Sequence, residues 1–165
     1  MSSKRNQLNR DLLAAVARRD IEQVRELLHR GADVNATDKE HNETPLILAA
    51  KFANADVVRL LVGAGAAIDA QDDWGRTAMF YAPISSEVFK ALIESGADVH
   101  TRDKRGDTIL MRKVSESASL AEVEELLGLG VDPGARNESG ETALDLAVSL
   151  GLVLIVERLK SSTAS

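Results

Sequence analysis

Apolar residues recur at helical spacing in short stretches, separated by small and polar residues. Ile21, Val24, Leu27 and Leu28 follow one another at steps of three and four, which gathers them on one face of a helix. Val57, Val58, Leu60 and Leu61 do the same, as do Val88, Leu92 and Ile93, and then Leu120, Val123, Leu126 and Leu127. Each stretch runs into a similar ending. Leu27-Leu28-His29-Arg30-Gly31-Ala32-Asp33-Val34-Asn35 is matched by Leu61-Val62-Gly63-Ala64-Gly65-Ala66-Ala67-Ile68-Asp69. Leu92-Ile93-Glu94-Ser95-Gly96-Ala97-Asp98-Val99-His100 follows, with a weaker fourth copy at Leu126-Leu127-Gly128-Leu129-Gly130-Val131-Asp132-Pro133. The shared glycines, Gly31, Gly65, Gly96 and Gly130, are spaced by 34, 31 and 34 residues.

A second marker keeps the same rhythm. Thr44-Pro45-Leu46, Thr77-Ala78-Met79, Thr108-Ile109-Leu110 and Thr142-Ala143-Leu144 step by 33, 31 and 34 residues. Both markers have physical reasons. Glycine just past a helix avoids the Cβ penalty of a left-handed cap. Gly75, Gly106 and Gly140, and Asn42 in the first copy, stand two residues before each threonine, where a tight turn favours positive φ. The threonine hydroxyl is placed to cap the next helix, and Pro45 suits a first helical position. Each repeat therefore reads as turn, short helix, loop, longer helix. One such helix pair cannot bury its apolar face alone, so repeats must stack.

These residues resemble the ankyrin-repeat family, whose unit of about 33 residues opens on a T-P-L-H-x-A pattern. Thr44-Pro45-Leu46-Ile47-Leu48-Ala49-Ala50 is the nearest match, and the resemblance covers residues 8–160. It implies an all-α solenoid of stacked helix–turn–helix units with β-hairpin-like turns. The expected organisation is one ankyrin-repeat domain over 1–165 with units at about 8–38, 39–72, 73–103, 104–137 and 138–160. The first and last are expected to act as caps. There are departures. The family's histidine after T-P-L is replaced by Ile47, Phe80, Met111 and Asp145. The third unit is short around Ala82-Pro83-Ile84-Ser85-Ser86, and Pro83 predicts a truncated first helix. The fourth carries Arg112-Lys113 where the family has small alanines. Such irregular units are either degenerate or shaped by a partner.

Composition narrows the class. Aromatics make up 3%, so the core must come from aliphatic residues and alanine. The net charge of −6 opposes non-specific nucleic-acid binding, which needs a basic face. There is no cysteine for a disulfide or thiolate site. Leu12–Ala17 is too short for a secretory signal, and no stretch approaches the roughly 20 apolar residues that span a bilayer. The expectation is a cytoplasmic protein that engages neither membrane nor nucleic acid.

Candidate chemistry is sparse. His29, His41 and His100 lie in different repeats without metal spacing. Gly63-Ala64-Gly65 follows a helix rather than a strand and lacks the lysine of a phosphate loop. Asp72-Asp73 reads as a turn opener, and no serine sits in a G-x-S-x-G elbow. No catalytic, metal or cofactor residue is predicted.

The family resemblance implies instead that a partner protein binds the concave side, on the turn tips and the outward faces of the first helices. The tips would be Lys39–Glu43, Asp73-Trp74-Gly75-Arg76, Lys104-Arg105-Gly106-Asp107 and Glu138-Ser139-Gly140-Glu141. The expected contact residues are His41, Glu43, Phe52, Asp73, Trp74, Arg76, Tyr81, Lys104, Arg105, Asp107 and Arg112. Trp74 stands out as the single tryptophan, because tryptophan and arginine are enriched among binding hot spots; the competing reading is that it folds onto the neighbouring tip. The role would be that of an inhibitor, antidote or adaptor. Two alternatives stay open. Leu152-Val153-Leu154-Ile155-Val156 is an unbroken apolar run in a unit that should be polar outside. Leu152 or Leu154 is expected to be exposed there, for a homodimer, a partner contact or packing by the Ser161–Ser165 tail. Otherwise the chain is read as a monomer. A small-molecule binder or enzyme using the groove is the less supported alternative.

Overall fold

The computed structural model describes residues 2–163. Among them are ten helices: α1 (Ser2–Ala17), α2 (Ile21–His29), α3 (Pro45–Lys51), α4 (Ala55–Gly63), α5 (Ala78–Tyr81), α6 (Glu87–Glu94), α7 (Ile109–Ser115), α8 (Leu120–Gly128), α9 (Ala143–Ser149) and α10 (Val153–Thr163). No strand occurs among the described residues; an isolated antiparallel bridge joins Arg102 and Thr108. The chain divides into two compact units, Met1–Asp98 and Val99–Ser165.

In the first unit the odd-numbered helices α1, α3 and α5 pack in series, and α2, α4 and α6 form a second row. Alanines make this close packing feasible. Ala15, Ala49, Ala50 and Ala82 are fully buried, with Leu12, Val16, Val24, Val57, Val58, Leu61 and Leu92 filling the space between rows. In the second unit α7 packs on α9 and α8 on α10. Leu110, Val114, Val123, Leu126, Ala147 and Leu159 make its core. α1 begins at Ser2, ahead of the expected start of the first unit at residue 8.

The turn chemistry follows the predicted logic with one exception. Gly31, Gly65, Gly96 and Gly130 all have φ between 82° and 89°. Asn42, Gly75, Gly106 and Gly140 also have positive φ. Thr44, Thr108 and Thr142 accept a hydrogen bond from the third residue of the helix they open. Thr77 does not. Its hydroxyl is buried without a hydrogen-bond partner, above a helix of only four residues. Pro83 explains the short helix: Ala82 is pushed to φ −64°, ψ 131°, outside the helical region.

Gly63 and Gly128 differ from the turn glycines. Both close a helix, neither has positive φ, and a Cβ at either would meet nothing within 4 Å. Nothing in the fold needs glycine there, so only its conformational entropy is felt. Gly63→Ala and Gly128→Ala should each stabilise the protein by roughly 0.5–1 kcal/mol, read as a raised urea midpoint with an unchanged slope. A lowered midpoint would contradict this.

Candidate functional site at the turn tips

Each tip is built on one acidic or amide side chain. Asp72 donates its amide N–H to the Arg76 carbonyl, 3.1 Å away. Its Oδ1 accepts from the backbone N–H of Trp74 at 2.8 Å and of Arg76 at 2.9 Å. Asp103 repeats this with Arg105 and Asp107, and Asn137 with Ser139 and Glu141. Asp38 opens a first tip one residue longer, accepting from Glu40 and His41 and closing on the Glu43 carbonyl. The backbone of each tip is thus satisfied internally. Of the two expected openers at Asp72-Asp73, Asp72 performs the role.

In the first unit the tips carry an aromatic and cationic cluster. The His41 and Trp74 rings stack with centroids 4.7 Å apart and planes inclined by 28°. The Asp73 N–H donates to the His41 carbonyl at 2.9 Å, locking the two tips together. The Arg76 guanidinium lies 5.8 Å from the Trp74 ring centroid. Behind them, Tyr81 donates its hydroxyl to Asp72 Oδ2 at 2.6 Å. Lys51 Nζ lies 5.3 Å from the centre of the Tyr81 ring and 2.7 Å from Glu43 Oε1.

Burial and the bond to Asp72 push the Tyr81 phenol well above its ordinary value, against a smaller opposing effect of Arg76. Folding favours the neutral phenol, so this contribution to stability is present at and below the ordinary tyrosine pKa of about 10 and is lost as pH rises further. Tyr81 is the single tyrosine in the chain, so tyrosinate absorbance reports it alone. The expected result is no tyrosinate step near pH 10 in the native protein, with ionisation only alongside alkaline unfolding. An ordinary step in a still-folded chain would refute the buried bond.

The second unit presents a different surface. Lys104 and Arg105 are exposed, and Arg105 Nε lies 3.9 Å from Asp107 Oδ2. Asn137 Nδ2 bridges Asp107 Oδ1 at 2.8 Å and Glu141 Oε2 at 3.2 Å. The Glu138 N–H donates to the Arg105 carbonyl at 2.9 Å, the same tip-to-tip bond as in the first unit.

The family model for ankyrin repeats in three copies matches residues 12–103 and 84–165. The chain belongs to the ankyrin-repeat family. It is 38% identical to human ankyrin repeat and SOCS box protein 6 over 104 residues, covering 58% of this chain and 25% of that protein. It is 32% identical over 158 residues to an ankyrin repeat protein of fowlpox virus (strain NVSL), covering 91% of this chain and 46% of the relative. Similarity to zebrafish neurogenic locus notch homolog protein 1 is 31% over 134 residues, 79% of this chain and 5% of the relative. The chain thus spans less than half of each of these relatives.

The ankyrin framework now locates the expected contact residues. Trp74 is 40% exposed while stacked on His41, so it is at once a tip-to-tip contact and an accessible surface. Asp73, Lys104 and Arg105 are exposed; His41, Phe52, Arg76, Tyr81, Asp107 and Arg112 are half-buried. Glu43 corrects an expectation. It is 3% exposed and its carboxylate is held by Lys51, so it supports the tip from beneath instead of projecting from it. Arg112 pairs with Glu116 at 2.8 Å, and the buried Lys113 reaches the same carboxylate at 3.4 Å. Glu116 therefore compensates both unusual cations of the fourth ankyrin unit. Phe80 and Met111, at the family's histidine position, are core residues. Asp145, at the same position in the last unit, accepts from the Thr142 N–H and hydroxyl, which holds its carboxyl below the usual range.

The apolar run of the last unit is exposed in part. Val153 and Leu154 are 65% and 64% accessible, Leu152 is half-buried and Ile155 is buried. Val148 and Leu150 are exposed as well. Tail packing over this run was an expectation whose last residues, 164 and 165, lie outside the described ones. Among the described residues no helix is long and apolar enough to cross a membrane, and no three His, Asp or Glu residues are grouped to hold a metal ion.

Proposed function

We propose that this chain is a non-catalytic protein-binding module of the cytoplasm. It recognises its partner through the turn tips, with Trp74 and Arg76 as the central contact of the first unit. Ankyrin repeats generally mediate protein–protein interaction, and that is the starting point. The observation carrying the specific reading is Trp74 itself. A large aromatic ring stands accessible at a tip, yet its orientation is fixed by His41, Arg76 and the tip-to-tip bond from Asp73. A side chain ordered before binding loses little conformational freedom when it is buried by a partner. Blocking or bridging that partner is the simplest consequence, as inhibitor, antidote or adaptor.

The test is affinity capture of the partner, followed by titration with variants. Trp74→Ala should weaken binding by about 2 kcal/mol, roughly thirty-fold, and Arg76→Ala by a smaller factor. Unchanged affinity in both variants, with the helical circular dichroism intact, would remove the tip reading. A second reading is supported by exposed Val153 and Leu154: self-association through α10. Light scattering that finds only monomer at high concentration would eliminate it.

A further inference from the structure

Arg102 and Arg136 occupy the same place in consecutive units, one residue before Asp103 and Asn137, and neither belongs to the contacts expected from the sequence. Both are exposed, yet both are ordered. Arg102 Nη1 donates to the Arg136 carbonyl at 2.8 Å and approaches the carbonyl of its own turn glycine, Gly106, at 3.4 Å. Arg136 Nη1 donates to the carbonyl of Gly140 in the equivalent way. In each case a single nitrogen fixes the guanidinium against the tip backbone. A guanidinium has five N–H donors, so most of the fork on each arginine remains unused.

Among the described residues no carboxylate forms an ion pair with either arginine, although the charge of Arg136 reaches Asp145 and helps to hold its carboxyl down. Asp103 Oδ1 is committed to the N–H groups of Arg105 and Asp107. Asp107 and Glu141 share Asn137, and Asp145 is held in the Thr142 cap. The carbonyls that pin Arg102 and Arg136 carry no formal charge. The tip architecture therefore engages Asp103, Asp107, Glu141 and Asp145 in bonds of its own and leaves both arginines outside ion pairs among the described residues, with only the charge of Asp145 acting on Arg136. An oriented, unpaired guanidinium fork matches a carboxylate in geometry and charge.

We infer that Arg102 and Arg136 form a carboxylate-binding pair, and that the partner surface meeting this tip is an acidic peptide segment. The inference rests on the tip reading of function and assigns the chemistry of one part of that surface. A nucleic-acid partner fits poorly. Residues 99–165 carry eight Lys/Arg against eleven Asp/Glu, so the pair is a local basic feature in an acidic unit and lacks the broad basic face that a phosphate backbone needs.

The test uses the full chain and a fluorescein-labelled twelve-residue peptide rich in glutamate. A glutamine version of that peptide and inorganic phosphate serve as comparisons. The glutamate peptide is expected to bind, to bind more weakly as salt rises, and to outcompete the glutamine version at least fivefold. Arg102→Gln with Arg136→Gln should erase that preference. Arg158→Gln, which breaks an ion pair to Glu124 elsewhere, should not. Arg102→Lys with Arg136→Lys keeps the charge, loses the fork and should fall between, with an unchanged thermal midpoint separating lost recognition from lost folding. Equal binding of both peptides overturns the inference, as does an unaffected double glutamine variant or phosphate displacing the peptide at lower concentration. A captured partner that responds to Trp74→Ala but not to the double arginine variant would overturn this assignment and leave the tip reading standing.

Discussion

Phe80→Ala is expected to destabilise the Met1–Asp98 unit by about 3–5 kcal/mol, the usual range for truncating a fully buried aromatic. Phe80 is 2% exposed and sits on α5, a helix of four residues. So short a helix has almost no stability of its own, and tertiary packing must hold it. α5 packs against α3 and α6, so the cavity left by Phe80 would open where three elements meet. Phe80→Leu keeps most of the volume and should cost less than about 1.5 kcal/mol. Urea unfolding followed by circular dichroism gives both numbers. A cost below 1 kcal/mol for the alanine variant would mean that the surrounding helices collapse into the space, and that Phe80 is not what fixes α5.

Asp72→Ala should cost about 2–3 kcal/mol, because one carboxylate carries three hydrogen bonds and the charge-assisted ones are the stronger kind. Two of the orphaned groups, the Trp74 and Arg76 N–H, sit at a tip that water reaches. The third, the Tyr81 hydroxyl, is partly buried and accounts for most of the penalty. Asp72→Asn should cost under about 1 kcal/mol, since its remaining amide oxygen still accepts the two tip N–H bonds. The molecule already demonstrates that substitution: Asn137 opens its tip with the same two bonds. Trp74, the single tryptophan, supplies the local readout. Its emission should shift to the red in native Asp72→Ala and stay put in Asp72→Asn. An alanine variant with unchanged stability and emission would show that the tip does not depend on this side chain.

Much of the fold was legible because it is local. A glycine past a helix, an asparagine or glycine at a turn and a threonine before an apolar run act within a few residues. Gly31, Asn42 and Thr44 accordingly adopt the conformations their neighbours demand. Pro83 announced the short α5 for the same reason. Thr77 shows where local reading ends. It has the same sequence signature as Thr44, yet its hydroxyl caps nothing over that truncated helix. The site was less legible because its contacts cross from one repeat to the next. That Trp74 folds onto the neighbouring tip was legible as one of two readings, but nothing near residue 41 names the His41 ring, 33 positions earlier, as what it stacks on. Glu43 reads as a tip residue until Lys51, on the following helix, is seen to hold it down. Arg102 and Arg136 carry no sequence signal, because their ordering comes from backbone carbonyls, which leave no mark in a sequence.

The acidic or amide residue that opens each tip has a consequence for how such a protein can change. Asp72, Asp103 and Asn137, each with a glycine three positions on, satisfy the turn without help from the side chains between. Asp-Trp-Gly-Arg, Lys-Arg-Gly-Asp and Glu-Ser-Gly-Glu therefore stand on equivalent frames while presenting an aromatic, a cationic and an anionic face. Letters whose side chains face solvent without a bond to the next tip, such as Lys104, Glu138 and Ser139, can be rewritten without touching the turn beneath them. A lineage can change the chemical face of a tip in this way while the unfolding temperature of its scaffold scarcely moves.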